Sequence, residues 1–232
     1  MKSLRLKLFQ ETACYTKPFA NKVGETYPLP PYSTVKGMIH QLLQANELLP
    51  LRFSVQGKYE SKIIDYRKSY MVKKQSVSMP IIFDGLAGSI PVQDNMSSIP
   101  LYTHMLFHVQ VIIHIAGEEE LLERIQDAIL HTDTYLSLGR HEDLVRVDEA
   151  VIVTLEECEE FKSAYSMYVP KYYFESDYPK GIPYRLNWTY NIVNGIREWS
   201  KIPVLYVSEN TLIEEDGKFL QTDGEHVVLW NE

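Results

Sequence analysis

Three prolines within Tyr27-Pro28-Leu29-Pro30-Pro31-Tyr32 constrain this chain more than any other feature. Proline cannot sit inside a helix, and it biases the residue before it toward extended backbone. The chain must arrive here straight, and a helix can open only beyond Pro31. Ser33 or Thr34 offers a hydroxyl to cap that helix. Val35, Met38, Ile39, Leu42 and Leu43 then supply one apolar face at helical spacing, over about 33–47. Gly37 in the first turn would let another backbone approach. With Lys36 beside it, the helix start has the donors and the charge that bind a phosphate. The plainer reading is a capped core helix after a rigid turn.

At 232 residues and 45% hydrophobic composition the chain can bury a real core, as one large domain or two small ones. No apolar run is long enough to span a membrane, and the start alternates basic and apolar residues where a signal peptide would have an apolar block. Two distant cysteines, Cys14 and Cys158, suggest neither a disulfide framework nor a zinc site. The expectation is a soluble cytoplasmic protein without a cofactor. The net charge of −8 conceals a polarity. Up to residue 75 there are thirteen bases and five acids, a net +8, and the rest carries −16. Bases gathered on one surface let an acidic protein hold a polyanion; otherwise these charges only solvate the surface.

Leu4, Leu6 and Leu8 alternate with Arg5 and Lys7, so residues 3–11 read as a strand. In the loop over 12–32, Tyr15, Lys17, Phe19, Lys22 and Tyr27 interleave rings and ammonium groups. That pattern suits single-stranded nucleic acid and equally a loop anchored by its aromatics. Residues 51–72 look extended and end in the basic cluster Arg67, Lys68, Lys73 and Lys74. Prolines and glycines over 75–102 predict an inserted hairpin. Residues 104–115 make a long strand, apolar on one face, with His104, His108, Gln110 and His114 on the other. Strand positions four apart stand about 13 Å from each other, too far to share a metal ion. These histidines therefore read as surface or partner-facing. Glu118-Glu119-Glu120 open a second helix with Leu121, Leu122, Ile125, Ala128 and Ile129 as its buried stripe. A strand over Val145–Leu155 follows. This order predicts an α+β fold over residues 1–155 of the ferredoxin-like (RRM-like) kind, an antiparallel sheet with both helices on one face. The acidic, tyrosine-rich residues 156–232 read as a smaller β-rich C-terminal domain. No aromatic-rich RNA-recognition motif is visible, so base stacking on the sheet centre is not expected.

Two stretches go further: Lys17-Pro-Phe with Glu25 to His40, and Leu136-Ser-Leu-Gly-Arg-His-Glu-Asp-Leu-Val. Together they resemble the Cas-five family of CRISPR-associated proteins, in the RAMP superfamily, and most closely its type I-B branch. The resemblance implies a ferredoxin-like domain, a β-hairpin thumb inserted at about 73–102, and a small C-terminal β domain. It also implies a non-catalytic subunit of the Cascade surveillance complex in antiviral defence. Such a subunit binds the 5′ handle of the crRNA, caps the backbone filament, touches the large subunit and meets target DNA in the assembled complex. On that reading Lys17, Lys22, Tyr27, Ser33, Thr34, Lys36 and Gly37 contact RNA from the first motif, and Gly139, Arg140 and His141 from the second. Arg140 would serve as a phosphate or base contact, since its planar fork can bind an anion bidentately and stack. Arg67, Lys68, Lys73 and Lys74 would lie at the base of the thumb.

Two other functions compete. One branch of the family, type I-C, cuts precursor crRNA without metal, and Tyr32, Lys36, His40 and His141 could supply acid–base groups for such an endoribonuclease. A protein-interaction module without an RNA role is the third expectation, in keeping with the acidic, tyrosine-rich C-terminal part.

Overall fold

The computed structural model describes residues 1–18, 23–72, 96–175, 179–214, 216 and 219–231. Strand β1 (Lys2–Ala13) follows the alternation of its sequence, with Leu4, Leu6 and Leu8 in the core and Arg5 and Lys7 on the other face. The short β2 (Val23–Gly24) leads into the prolines and helix α1 (Tyr32–Leu42). That helix opens before Ser33. Pro31 is its N-cap, extended at φ −61° and ψ 152°, and no side chain caps it. The Pro31 carbonyl accepts from the Thr34 and Val35 N–H groups. Ser33 and Thr34 thus stand inside the first turn, which corrects the expected capping role. The helix also ends well before residue 47. Gln44 adopts a left-handed backbone (φ 51°), and the Ala45 N–H bonds back to the His40 carbonyl.

Strands β3 (Arg52–Lys58) and β4 (Ser61–Val72) are two halves of the stretch expected to be extended. Both pair antiparallel with β5 (Met96–Ala116), and the register is unchanged across the break at Tyr59–Glu60. Opposite the break, His108 has φ 50°, uncommon for a residue other than glycine. Among the described residues, β4 pairs only with β5, so the arm starts ahead of the expected insertion at 73. Residues 73–95 lie outside the described residues.

Helix α2 (Glu119–Leu130), β6 (Leu136–Ser137) and β7 (Leu144–Thr154) come next. The C-terminal third adds β8 (Glu156–Cys158), β9 (Glu160–Lys162), β10 (Ser166–Pro170), β11 (Ile182–Val193), β12 (Ile196–Val207), β13 (Leu212–Glu214), β14 (Leu220–Thr222) and β15 (Val227–Val228). The main sheet runs β11-β12-β10-β3-β5-β1-β7-β6, with β2 and β4 also on β5. The architecture is α+β, mostly sheet with two helices. The four strands joined through the helices lie in the order β3-β5-β1-β7, all pairs antiparallel. Both helices bury their stripes against Leu4, Leu6, Phe53, Val55, Ile113 and Ile115.

Strands from both sides of residue 155 share this sheet. β10 pairs with β3, and Tyr168, Leu186, Ile202 and Val204 enter the same core as the helices. The opposite side chains of β10 and β12 build a second cluster with Ile213, Leu220, Val227 and Leu229. The face of the sheet away from the helices holds a surprise. His114, expected at the surface, is wholly buried there, because the last residues of the chain lie across it. The Gln56 amide donates to the Val227 carbonyl, the Leu229 N–H donates to Ser54, and Phe53 and Asn231 exchange hydrogen bonds. Among the described residues no helix is long and apolar enough to cross a membrane.

Candidate nucleic-acid interface

Both sequence motifs fold back onto the residues that follow β1. The Thr26 hydroxyl accepts from the Tyr15 N–H and donates to the Tyr27 carbonyl, and the Tyr27 N–H donates to the Tyr15 carbonyl. From the other side, the Asp143 carboxylate accepts from the Cys14 N–H. The Gln10 amide donates to the Leu138 and Asp143 carbonyls and its oxygen accepts from the Tyr15 hydroxyl. Gly139 permits this closure. Its φ is 116°, and a Cβ there would stand 2.8 Å from Asp143 Oδ2 and 3.1 Å from the Cys14 carbonyl oxygen.

Arg140 is committed inside the same loop. Its Nε and Nη2 donate to Asp143 at 3.1 and 2.7 Å, and Nη1 lies 3.0 Å from Glu142. Asp143 is wholly buried and needs that counter-charge. A phosphate arriving at Arg140 would share a guanidinium already paired. The only mark of Asp143 in the sequence is a charge three residues after Arg140. His141, at the loop's tip, is exposed.

The other expected contacts divide in the same way. Lys17 pairs with Glu25 at 3.1 Å, and its ammonium lies 5.4 and 5.9 Å from the Tyr184 and Tyr27 ring centroids. That pairing holds the Glu25 carboxyl below its usual range. Tyr27 is buried, edge-on to Tyr184 at 5.5 Å. Lys36 turns toward β11. Its ammonium donates to the Trp188 carbonyl and lies 4.6 Å from the indole centroid, and burial lowers its pKa. Gly37 is exposed, and a Cβ there would meet nothing within 4 Å, so the backbone approach expected of it is not made among the described residues. Ser33 and Thr34 are half-buried. Arg67 pairs with Asp65 at 2.7 Å and stands 3.9 Å from Glu142, which brings the arm beside the second motif. Lys68 is exposed, its ammonium 5.2 Å from the Tyr70 ring centroid. Lys22, Lys73 and Lys74 lie outside the described residues. Lys17, Tyr27, Gly139, Arg140, His141 and Arg67 thus share one edge of the molecule, and Tyr184 and Trp188 on β11 link it to the start of α1.

Much of the basic surplus near the N-terminus is neutralised within the molecule. Lys2 pairs with Glu119, Lys7 with Glu225, and Arg5 with Glu149 and Asp223. Asp223 is the centre of a buried knot. One of its oxygens stands 2.7 Å from Arg5 Nη1, 3.0 Å from His114 Nε2 and 3.1 Å from His226 Nδ1. Burial alone would raise the Asp223 pKa, but the bonds from His114, His226 and Arg5 hold it well below the carboxylate range. His114, Asp223 and His226 offer ligand atoms within 4.8 Å of one another. The Arg5 guanidinium already sits on the oxygen they share, so the chain itself supplies the cation. Of the four groups an endoribonuclease could use, only His141 is exposed. Among the described residues the Tyr32 hydroxyl is buried without a hydrogen-bond partner, Lys36 is held by Trp188, and His40 Nε2 accepts from the Leu49 N–H at 3.4 Å.

The model of the family described as CRISPR-associated protein (Cas_Cas5) matches residues 3–216. The chain belongs to that family. Both motifs and most of the C-terminal strands of this Cas_Cas5 protein lie within the match. Among solved structures it is similar to a chain of a CRISPR RNA-guided surveillance complex, with a TM-score of 0.53 and 14% identity over 89% of this chain and 90% of that one. It is also similar to a CRISPR protein from Archaeoglobus fulgidus, with a TM-score of 0.50 and 11% identity over 98% of both chains. At these identities the likeness is one of fold. No curated protein matches the sequence.

Proposed function

We propose that this chain is a non-catalytic subunit of a type I CRISPR Cascade complex, of the I-B branch, that binds the 5′ handle of the crRNA and caps the backbone filament. The family match over residues 3–216 carries the reading, and the fold likeness to a chain of an RNA-guided surveillance complex supports it. The antiparallel order β3-β5-β1-β7 under two helices suits a ferredoxin-like body, with the β4–β5 arm as its thumb. The handle would run along the edge where the two motifs meet, past His141 and Lys68 toward the start of α1. The backbone and large subunits, and target DNA after assembly, would be its other partners.

Filter binding of the purified chain to handle RNA and to a scrambled RNA tests this. Salt-sensitive binding that prefers the handle is expected, because phosphate contacts release counterions and splayed bases are read individually. Equal affinity for both RNAs sinks the reading. Arg140→Ala is a poor probe, since it strands the buried Asp143 charge. Gly37 is a better one. Gly37→Ala fills open space on the exposed face of a core helix and should stabilise the chain by about 1 kcal/mol. A loss of handle affinity in that more stable variant would come from the interface and not from unfolding.

A further inference from the structure

The sheet face away from the helices is covered only in part, as its cross-strand rows make plain. The row Arg5–His114–Ser54 lies under Asp223 and Leu229, and the next, Lys7–Ile112–Gln56, meets Val227. In the third row, Arg146–Phe9–Gln110–Lys58, Phe9 is half-buried and the other three are exposed. A cavity of about 320 Å³ opens on it, lined by Phe9, Lys58, Tyr59, Glu60, His108 and Gln110.

We infer that this cavity takes one nucleobase of a single-stranded RNA, stacked on Phe9. The inference rests on the RNA-binding reading above and adds a contact on a face that the two motifs do not reach. The Arg146 guanidinium stands 4.4 Å from the Phe9 ring centroid and the His108 ring 5.8 Å from it, so the ring is framed by cationic and aromatic groups. Gln110 offers both a donor and an acceptor to a base edge. Lys58, now 5.3 Å from the Tyr165 ring centroid, and Arg146 stand at the two ends of the row, where flanking phosphates would pass. Three nearby carboxylates are already engaged: Glu60 at 2.6 Å and Glu11 at 3.3 Å pair with His108, and Asp148 accepts from the Arg146 guanidinium at 2.6 and 3.2 Å. His108 keeps that position in a left-handed backbone, a cost that the surrounding structure must sustain. Arg146 is neutralised by Asp148, whereas Lys58 meets only the Tyr165 ring among the described residues. An uncharged protein side chain would fill the cavity and leave the Lys58 ammonium unneutralised; a polynucleotide satisfies ring and ammonium together. Stacking on the sheet was not legible in the sequence, because one ring serves and its neighbours in the row come from three other strands.

The test is titration of AMP and UMP into the isotope-labelled full chain, followed by NMR, with ribose 5-phosphate as the base-free control. The nucleotides should shift the backbone signals of Phe9, Lys58 and Gln110, and ribose 5-phosphate should not. Phe9→Leu, which keeps the packing, should weaken nucleotide binding at least about fivefold, the low end for loss of one stacking ring. Gln110→Ala, at an exposed position, should alter the preference between AMP and UMP. Equal shifts from ribose 5-phosphate would reduce the site to an anion patch and overturn the inference, as would nucleotide binding indifferent to Phe9→Leu. Shifts from acetyl-tryptophan amide but not from nucleotides would assign the row to a protein partner and overturn it too. Handle-selective RNA binding with silent nucleotides defeats this inference alone. Nucleotide binding at Phe9 without handle selectivity defeats the proposed function alone.

Discussion

Gly139 has a backbone that a side chain would strain and a space that Asp143 and Cys14 already occupy. Gly139→Ala should therefore lower stability by about 2 kcal/mol, read as a fall in the Tm of the isolated chain. An unchanged Tm would mean that this glycine serves only a partner. Tyr32 gives the opposite expectation. Its hydroxyl is buried without a partner among the described residues, so Tyr32→Phe removes an unsatisfied group and should raise stability by about 1 kcal/mol. A loss of stability would refute that account of the site. The two cases show what a motif conveys. The Gly-Arg pair at 139–140 was legible as special, but its first task is to close a loop around a carboxylate three residues on. Lys36 was legible as a cation at a helix start; that it lies on Trp188 depends on a strand more than 150 residues away.

The elements were legible in proportion to how local their causes are. The alternation in β1 appears as read, and so does the stripe of α2 apart from a half-buried Ala128, since each needs only its own sequence. The burial of His114 was not legible, because the turn that covers it, Asp223–His226, comes over a hundred residues later. That cover makes the C-terminal segment sensitive to acid. Burial holds the His114 imidazole below its ordinary value, against the pull of Asp223, with Arg5 and His226 also facing it. In the unfolded chain the imidazole takes up a proton below about pH 6.5, and in the folded chain it resists. Its contribution is therefore present above that pH and is lost as the pH falls toward the lowered folded value. Asp223, held low, adds its own loss only below about pH 4. His108 has its pKa raised by Glu60 and acts in the opposite sense. Comparing wild type with His114→Gln cancels that term. Denaturant unfolding from pH 7 to 5 should show a steeper loss for wild type than for the variant; parallel curves would remove His114 from the account.

Over the whole molecule, the division expected near residue 155 meets a sheet that continues through it. Strand β3 has β10 along one edge, and the Tyr168 hydroxyl of β10 donates to the Leu29 carbonyl at 2.7 Å, inside the proline stretch that sets the start of α1. Tyr168 also packs edge-on against Tyr32, with centroids 6.0 Å apart. Charge follows the same plan. The basic N-terminal strand and the acidic C-terminal turn neutralise each other through Arg5 and Lys7, so a polarity that looked like an RNA signature is in part a fold signature. A chain cut after residue 155 would expose the β3 edge, open the core where Tyr168, Leu186, Ile202 and Val204 now sit, and leave Arg5 and Lys7 without Asp223 and Glu225. Each large buried side chain removed from such a core costs about 2–5 kcal/mol, and four of them approach or exceed the whole stability of a typical domain. The fragment 1–155 should therefore lack a cooperative thermal transition and a dispersed NMR spectrum, and adding residues 156–232 as a separate chain should restore both. A fragment that melts cooperatively alone would show that the first 155 residues hold their own core and that the shared sheet is only a docking surface.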